Sequence, residues 1–255
     1  MIELYHWEPN AASARVLIAL KEKGLQFHSR YLDVLAFEQH APAYLALNPS
    51  GETPVLVRDG EPFNEASYIC EYLEEAFPET PLMPKTPLDR WAARAWQKYV
   101  DDYLAASVSD LAWAALGSAG LKPPPGSSID DAVARIPMQE RRDAWRGALE
   151  DLGEEVLDKA RERVRLTVDK IETDLEDRDW LAPGGYSLAD IAVYPYMNYL
   201  PRIEPELVGK RTAPHTLAWL KRMSERPAVI AAEAMSRTGD AYATAAPGPE
   251  HVRWG

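Results

Sequence analysis

The chain has 255 residues, of which 46% are hydrophobic, enough for one large or two small domains with a real core. Its 28 basic and 40 acidic residues give a net charge of −12, which argues against nucleic acid and against an anionic membrane as partners. There is no apolar run of membrane-spanning length, no signal-peptide pattern in the first ten residues and only one cysteine, so we expect a cytoplasmic protein without disulfides.

The first 79 residues are predicted to form strands and helices in the order β-α-β-α-β-β-α. In chain order we predict strand 2–7, helix 13–23, strand 27–34, helix 41–47, strand 55–57, a hairpin turn at Asp59-Gly60 and a helix that begins near Glu65. A helix between the first two strands makes them parallel, whereas the Asp-Gly turn makes the last pair antiparallel. A thioredoxin-like α/β layer satisfies both conditions.

Residues 47–73 combine features that suit a small zwitterionic peptide. Pro54 cannot donate a ladder hydrogen bond, so the strand begins at or after it. A cis Thr53-Pro54 peptide would turn the N–H and C=O of Thr53 outward, toward an extended ligand. Glu65 supplies an acid, and the N-terminus of the following helix, near Ser67, suits a carboxylate.

The remainder of the chain is predicted to be helical. Four prolines within residues 78–87 predict a stiff linker, and no convincing strand follows. We predict a loop or insertion at 121–136 and helices at 88–116, at 139–177 with a division after Gly147, and at 188–199, 216–226 and 227–235. Ser187 and Asp190 form a capping box before a segment that is apolar nearly all round, which we expect at the centre of the second domain.

These predictions divide the chain into residues 1–79, a linker at 80–87 and a helical domain at 88–255. The tail from Thr238 onward is predicted to wrap the surface or fray. We interpret Cys70 as a packed small hydrophobe within its helix. Asp101 and Asp102 could pass for a carboxylate pair, but adjacent helical residues point apart. A solvated face is favoured, and the alternative is that one of the two faces the cleft between the domains.

Several of these motifs together resemble the cytosolic glutathione S-transferase superfamily. They are NPSGETPVL followed by EASYICEYLEE, the proline-rich linker and SLADIAVYP. The resemblance is greatest to bacterial LigF-type β-etherases, on FEQH at 37–40, DGEPFNEASYICEYLEEAFPE at 59–79, RAWQKYVDDY at 94–103 and an insertion with IPMQERRDAWR at 136–146. It implies the glutathione transferase architecture, an α/β thioredoxin-like N-terminal domain plus an all-α C-terminal domain.

The resemblance also implies a reaction. Glutathione, as co-substrate, would attack the β-carbon of a lignin-derived aromatic ketone and release a phenol from its β-aryl ether. The implied partners are glutathione, a small aromatic electrophile and a second chain, in a homodimer or a heterodimer with a related protein. The five histidines show no metal-ligand spacing, so we predict no metal.

Ser13, near the start of the first helix, is the predicted catalytic residue. A hydroxyl and a helix N-terminus both favour a thiolate over a thiol. From the residues alone, a serine here is more often a plain helix cap, whereas the resemblance implies that Ser13 contacts the sulfur. Ala12 and Ala11 stand where other family members carry cysteine or serine. Asn10 is the nearest alternative donor.

The resemblance assigns the glutathione-binding residues. His40, which from its residues alone reads as a surface histidine, would meet the glycine carboxylate, and Thr53 beside Pro54 would pair with the cysteinyl backbone. Glu65 and the following residue would bind the γ-glutamyl end, but Ala66 replaces the usual serine. The lost hydrogen bond to a charged group corresponds to about 1.5–3 kcal/mol. We expect Ser67 to compensate in part.

The aromatic substrate is expected between the two domains, where phenolic rings can stack on aromatic side chains. The candidates, for which core packing is an equally good explanation, are Trp7, Tyr103, Trp113, Tyr196 and Tyr199. Three functional hypotheses stay open. They are a β-etherase, a non-catalytic partner subunit with a weakened glutathione site, and a general transferase, isomerase or peroxidase.

Overall fold

The computed structural model describes residues 1–117 and 120–246, and its first part is built on a four-stranded mixed sheet. The strands are β1 (Ile2–His6), β2 (His28–Tyr31), β3 (Val55–Arg58) and β4 (Glu61–Phe63). Their spatial order is β2-β1-β3-β4, in which β1 runs parallel to β2 and antiparallel to β3, while β3 and β4 form a hairpin. The predicted order of strands and helices along the chain and both predicted strand directions are confirmed.

The helices of this part are α1 (Ala11–Glu22), α2 (Pro42–Leu45) and α3 (Ala66–Ala76). Helix α1 is the centre of the packing, since every residue from Ser13 to Leu20 is buried. The predicted second strand was too long. Its chain turns into a 3-10 segment because the Asp33 carboxylate accepts the backbone N–H groups of Leu35 and Ala36 at 3.0 and 3.3 Å.

The second part is helical throughout its described elements. These are α4 (Pro87–Tyr99), a π-helical segment (Val100–Leu104), α5 (Ala105–Leu116), α6 (Ile129–Ala134), α7 (Gln139–Glu150), α8 (Glu154–Leu175), α9 (Leu188–Met197), α10 (Leu200–Ile203), α11 (Pro214–Ser224) and α12 (Pro227–Glu233). The three predicted helices after residue 187 are correct to within two residues at each end.

Two sequence-based predictions in this part need correction. The predicted division after Gly147 was misplaced, because Gly147 is helical and α7 continues to Glu150. The break covers residues 151–153 and ends at Gly153, which has a φ of +73° and precedes α8. The predicted loop at 121–136 contains α6, which begins at a capping box formed by Ser128 and Asp131. The two flanking segments, α5 and α7, frame the functional site described below.

Helix α9 is the core of the helical part, as its nearly all-round apolar sequence predicts. All ten of its residues are buried. Asp190 accepts hydrogen bonds from the backbone N–H groups of Ser187 and Leu181 and from Trp219 Nε1, each at 3.0 Å. Helix α9 packs against α1, so the central helix of the first part and the central helix of the second part meet directly.

The segment between α3 and α4 contains no helix or strand. It is held by a buried pair, in which Lys23 Nζ lies 2.8 Å from Glu74 and Glu74 also accepts from the backbone N–H of Leu82 at 2.8 Å. The predicted domain boundaries at 79 and 88 stay predictions. None of the described helices is long and apolar enough to cross a membrane.

Candidate functional site

A cavity of about 240 Å3 lies between the sheet part and the helical part. Its polar lining comes from the start of α1, the loop before β3, the start of α3 and the π-helical segment. Its apolar lining includes Ala105, Val108 and Ala112 of α5. One cavity thus joins groups that suit a peptide with a surface that suits a hydrocarbon or an aromatic ring.

Ser13 lines this cavity and is almost fully buried. Helix α1 begins at Ala11 with Asn10 as its cap residue, so Ser13 lies inside the first turn and is not the cap. Its Oγ accepts the backbone N–H of Trp7 at 3.2 Å, and no described residue accepts the hydroxyl hydrogen. That hydrogen therefore remains available to a ligand at the helix N-terminus.

Asn10 also lines the cavity, but its amide is already committed. Asn10 Nδ2 donates to the carbonyl oxygens of Ala241 and Thr244 at 2.6 and 3.2 Å. The Tyr199 hydroxyl donates to the same Thr244 carbonyl at 3.0 Å. Asn10 thus holds the tail in place, which leaves Ser13 as the better candidate for contact with sulfur.

The described part of the tail, up to residue 246, folds over this site. Ala241, Tyr242 and Ala245 are buried, and Ala245 and Ala246 line the cavity. The tail therefore wraps the surface, the first of the two predicted behaviours, as far as it is described. Residues 247–255 of the predicted tail lie outside the described residues.

The Thr53-Pro54 peptide is cis, and both residues line the cavity immediately before β3. The preceding loop is fixed by Asn48, whose Nδ2 donates to the Glu52 carbonyl at 2.9 Å. Thr53 and Pro54 therefore lie at the cavity wall, where the sequence predicts a backbone edge for a peptide ligand.

Glu65 and Ala66 line the cavity at the start of α3. Glu65 is the cap residue and has a φ of +63°, a sparsely populated region for a residue other than glycine that is typical of binding sites. Burial raises the pKa of the Glu65 carboxyl, and the neighbouring carboxylates of Glu52 and Asp101 raise it further. Such a group of acids favours a cation between them.

Ser67 lies outside the cavity lining, within a charged cluster around buried Arg15. Arg15, whose side chain is only 3% exposed, donates to Asp101 Oδ1 at 2.6 Å and to the Ser67 hydroxyl, which in turn donates to Asp101 Oδ2. The Ser67 hydroxyl is thus committed and does not replace the one that Ala66 lacks. Burial opposes the charge on Arg15, but Asp101, Tyr196 and Cys70 together raise the pKa of the guanidinium.

Arg15 and Asp101 were not among the predicted site residues, and both line the cavity. For Asp101 the favoured solvated face was wrong, and the structure instead agrees with the alternative, a place at the cleft between the domains. It lies in the π-helical segment, a geometry frequent at functional sites, and both Asp101 and Asp102 reach the cavity. A single arginine within the otherwise apolar run of α1 was the sequence signal for this cluster.

His40 is buried at 5% exposure, so the interpretation as a surface histidine was wrong. Its ring packs so closely on Gly51 that a Cβ there would lie 2.6 Å from His40 Nδ1. Burial, helped by Arg141, lowers the pKa of His40 to about 4. His40 is therefore neutral at pH 7 and lies behind the cavity wall, whereas Arg141 lines the cavity itself.

The predicted aromatic residues divide into two groups. Trp7, Tyr196 and Tyr199 line the cavity. Tyr103 does not, because it packs on Tyr99 and under Arg163. Trp113 also lies outside the cavity lining.

Trp113 is a core residue, as the alternative explanation allowed. It is buried, donates Nε1 to the Ala148 carbonyl at 2.9 Å and meets Trp145 edge to face. Trp145 of α7 takes the place at the cavity that was predicted for Trp113. The IPMQERRDAWR motif contains Trp145, but its spacing alone does not show which helix face meets the cavity.

Two further groups do not contribute chemistry to the site. Cys70 is buried against α1, and burial raises the pKa of its thiol to about 12, so it is a core residue as interpreted. Among the described residues there is no cluster of three or more histidine, cysteine, aspartate or glutamate side chains that could hold a metal ion.

Two family models match the chain. "Glutathione S-transferase, N-terminal domain" matches residues 4–81, and "Glutathione S-transferase, C-terminal domain" matches residues 132–227. Protein LigF of Sphingobium sp. (strain SYK-6) is 35% identical over 234 residues, which cover 89% of this chain and 91% of LigF. Glutathione S-transferase F10 of Arabidopsis thaliana is 28% identical over 222 residues, which cover 86% of this chain and 90% of that protein.

The fold is similar to solved structures as well. The crystal structure of the β-etherase LigF from the same Sphingobium strain aligns with a TM-score of 0.86 at 34% sequence identity. The alignment covers 92% of this chain and 99% of that one. Both the sequence and the backbone are therefore similar along nearly the whole length of the molecule.

Proposed function

Because this chain belongs to the glutathione S-transferase family, we propose that it is a glutathione-dependent β-etherase that cleaves the β-aryl ether of lignin-derived aromatic ketones. One observation carries the proposal. A single cavity joins peptide-binding groups and Ser13 with an apolar lining from α5, in a chain 35% identical to LigF, whose structure is described as a β-etherase.

The γ-glutamyl end of glutathione would bind at the start of α3. The carboxylates of Glu65 and Asp101 suit its ammonium group, whereas its carboxylate suits the Ala66 N–H at the helix N-terminus. Arg15, held by Asp101 at 2.6 Å, adds a positive charge beside this end. These groups offset the serine hydroxyl that Ala66 lacks.

The cysteinyl residue would pair with the N–H and C=O of Thr53, which places its sulfur toward the N-terminus of α1. A free thiol with a pKa near 8.5 is only a few per cent thiolate at pH 7. The Ser13 hydroxyl would donate to the sulfur, and the helix dipole would add to the stabilisation of the anion. His40 is not needed for charge here, since it is neutral.

The aromatic ketone would lie against Trp7, Tyr196 and Tyr199, beside the apolar residues of α5. The thiolate forms a C–S bond at the β-carbon as the C–O bond breaks, and the bonding electron pair leaves on the phenolate oxygen, which then takes up a proton. The reaction needs a thiolate held in line with the leaving oxygen, and the cavity supplies that by position. A cytoplasmic location and assembly into a homodimer or a heterodimer stay predictions.

The similarity to glutathione S-transferase F10 over 86% of the chain favours a second candidate, a general transferase. It differs from the first only in its electrophile. A panel of aryl halides, epoxides and unsaturated carbonyls, assayed beside the β-aryl ethers, separates the two.

The test of the proposal is phenol release from each enantiomer of a model β-aryl-ether ketone, with reduced glutathione or with S-methylglutathione as the matched control. We expect phenol from at least one enantiomer with glutathione and none with the methylated peptide, which has no thiol. Calorimetry with glutathione runs beside it. Binding without phenol release from either enantiomer would refute the etherase assignment, and absence of binding would favour the partner-subunit hypothesis.

A further inference from the structure

Helix α7 brings two hydrogen-bond donors to the cavity from the insertion. Arg141 and Trp145 are four residues apart, so they lie one turn apart on the same helix face. Both line the cavity, with 8% and 2% of their surface exposed. The cavity lining therefore includes two donor side chains that belong to neither the Thr53 edge nor the start of α3.

Neither donor is fully used within the described structure. Trp145 Nε1 and Arg141 Nε are buried and have no hydrogen-bond partner there. An indole N–H only donates, and its burial without an acceptor is unfavourable. Two donor side chains on one helix face, one of them charged, suit a carboxylate.

The position of Arg141 is set by Glu52. Arg141 Nη1 lies 2.5 Å from Glu52 Oε1, and Glu52 directly precedes Thr53. The guanidinium has five N–H donors, so this ion pair leaves others free. An extended peptide advances about 3.3–3.6 Å per residue, so a ligand whose cysteinyl residue pairs with Thr53 has its next carboxylate near this helix.

Arg141 is also the cation in the cavity lining that can bind a carboxylate of a ligand. Among the cavity-lining residues that the structure describes, the other cation is Arg15, which is paired with Asp101 and Ser67. His40, behind the wall, is neutral at pH 7. Glu52 is the acid that faces Arg141, and it reduces the positive charge without removing it.

We propose that Arg141 and Trp145 form a carboxylate clamp that binds the glycyl end of glutathione, with Glu52 as its positioning residue. The inference rests on the proposed function, since it requires glutathione in this cavity. It gives the insertion a role in binding the co-substrate. The competing source of the same chemistry is a carboxylate on the aromatic substrate, and the experiment separates the two.

The experiment compares glutathione with γ-glutamylcysteine, which lacks the glycyl residue. Calorimetry measures both dissociation constants for the wild type, Arg141→Gln and Trp145→Phe, the last of which keeps an aromatic ring and removes the N–H. We expect the wild type to bind glutathione about ten- to a hundredfold more tightly than the dipeptide. Each variant should reduce that ratio toward one and leave the affinity for the dipeptide unchanged.

The matched control is Arg142→Gln. Arg142, the next residue, donates to the backbone carbonyls of Ile136 and Pro137 and does not line the cavity, so its ratio should equal that of the wild type. An unchanged ratio in both α7 variants would overturn the proposal, as would an equal loss of affinity for both peptides. So would an effect confined to the KM of a carboxylated aromatic ether, which would assign the clamp to that substrate.

Different results refute the carboxylate clamp and the proposed function. If the wild type binds the dipeptide and glutathione equally, the clamp is refuted and the glutathione site stands. If it binds neither peptide, the proposed function fails, and the clamp fails with it. Dipeptide binding by each variant also reports that the variant is folded.

Discussion

The Ser13→Ala substitution removes the hydroxyl that we place beside the glutathione sulfur. In the structure Ser13 Oγ accepts from the Trp7 N–H at 3.2 Å, so the hydroxyl hydrogen is free to donate. A hydrogen bond to a charged group contributes about 1.5–3 kcal/mol, and one pKa unit corresponds to about 1.4 kcal/mol. We expect the pKa of the bound thiol to rise by about 1–2 units and turnover at neutral pH to fall about ten- to a hundredfold.

The assay is a pH titration of the thiolate absorbance of bound glutathione, followed by turnover of the model ether over the same pH range. The control is Ser107→Ala, which removes another buried serine hydroxyl, one that donates to the Tyr103 carbonyl at 3.2 Å and lies away from the cavity. An unchanged thiol pKa in Ser13→Ala would show that Ser13 only holds the Trp7 backbone. That result would refute the reasoning.

Three further predictions concern groups around the site and in the core. Burial lowers the pKa of His40 to about 4 in the folded chain, against about 6.5 in the unfolded chain. Between these two pH values the unfolded chain binds more protons, so the free energy of unfolding falls as the pH falls from 6.5 to 4. The fall in the free energy of unfolding is about 3 kcal/mol. Urea unfolding of His40→Gln should therefore depend less on pH across this range than that of the wild type, and parallel pH profiles of the two proteins would contradict the reasoning. Asp101→Asn should lower the free energy of unfolding by about 1–3 kcal/mol, because it weakens the acceptor of buried Arg15. Asp169→Asn, which breaks an exposed pair with Arg165, should change little. Equal effects of the two substitutions would argue against a stabilising role of the cluster around Arg15. Asp190→Ala should lower the free energy of unfolding by more than about 3 kcal/mol, since Leu181, Ser187 and Trp219 each lose an acceptor. A free energy from urea unfolding within about 1 kcal/mol of the wild-type value would show that the core does not depend on Asp190.

Local sequence patterns were enough to predict the framework of the site. The Asp59-Gly60 turn predicts the β3–β4 hairpin, and the Ser187–Asp190 pair predicts the start of α9. Each depends on residues within a few positions of one another, where backbone preferences and capping act directly. The position of Thr53-Pro54 before β3 was likewise predictable from neighbouring residues alone.

Contacts between distant segments were not predictable in this way. Arg15 and Asp101 are 86 residues apart in sequence, and Arg141 and Glu52 are 89 apart, so no local pattern indicates either pair. His40 lies in a polar stretch that is typical of a surface loop, but it is buried because Gly51 leaves room for its ring.

The π-helical segment had no signature in composition either. Residues 88–116 are typical of one continuous helix, and the segment Val100–Leu104 within it changes which side chains face the cavity. In the structure Asp101 lines the cavity and Tyr103 does not, the reverse of what was favoured from the sequence. Aromatic residues on helices remain ambiguous in sequence, since the core and a ligand site favour the same side chains.

The most direct test of the central claim is the identity of the second product. Purified protein, glutathione and the reactive enantiomer of a β-aryl-ether ketone are mixed, and the products are quantified by mass spectrometry. Thiolate displacement predicts one glutathione thioether, bonded at the former β-carbon, for every phenol released. Phenol released with glutathione disulfide and no thioether, or released without consumption of glutathione, would contradict it.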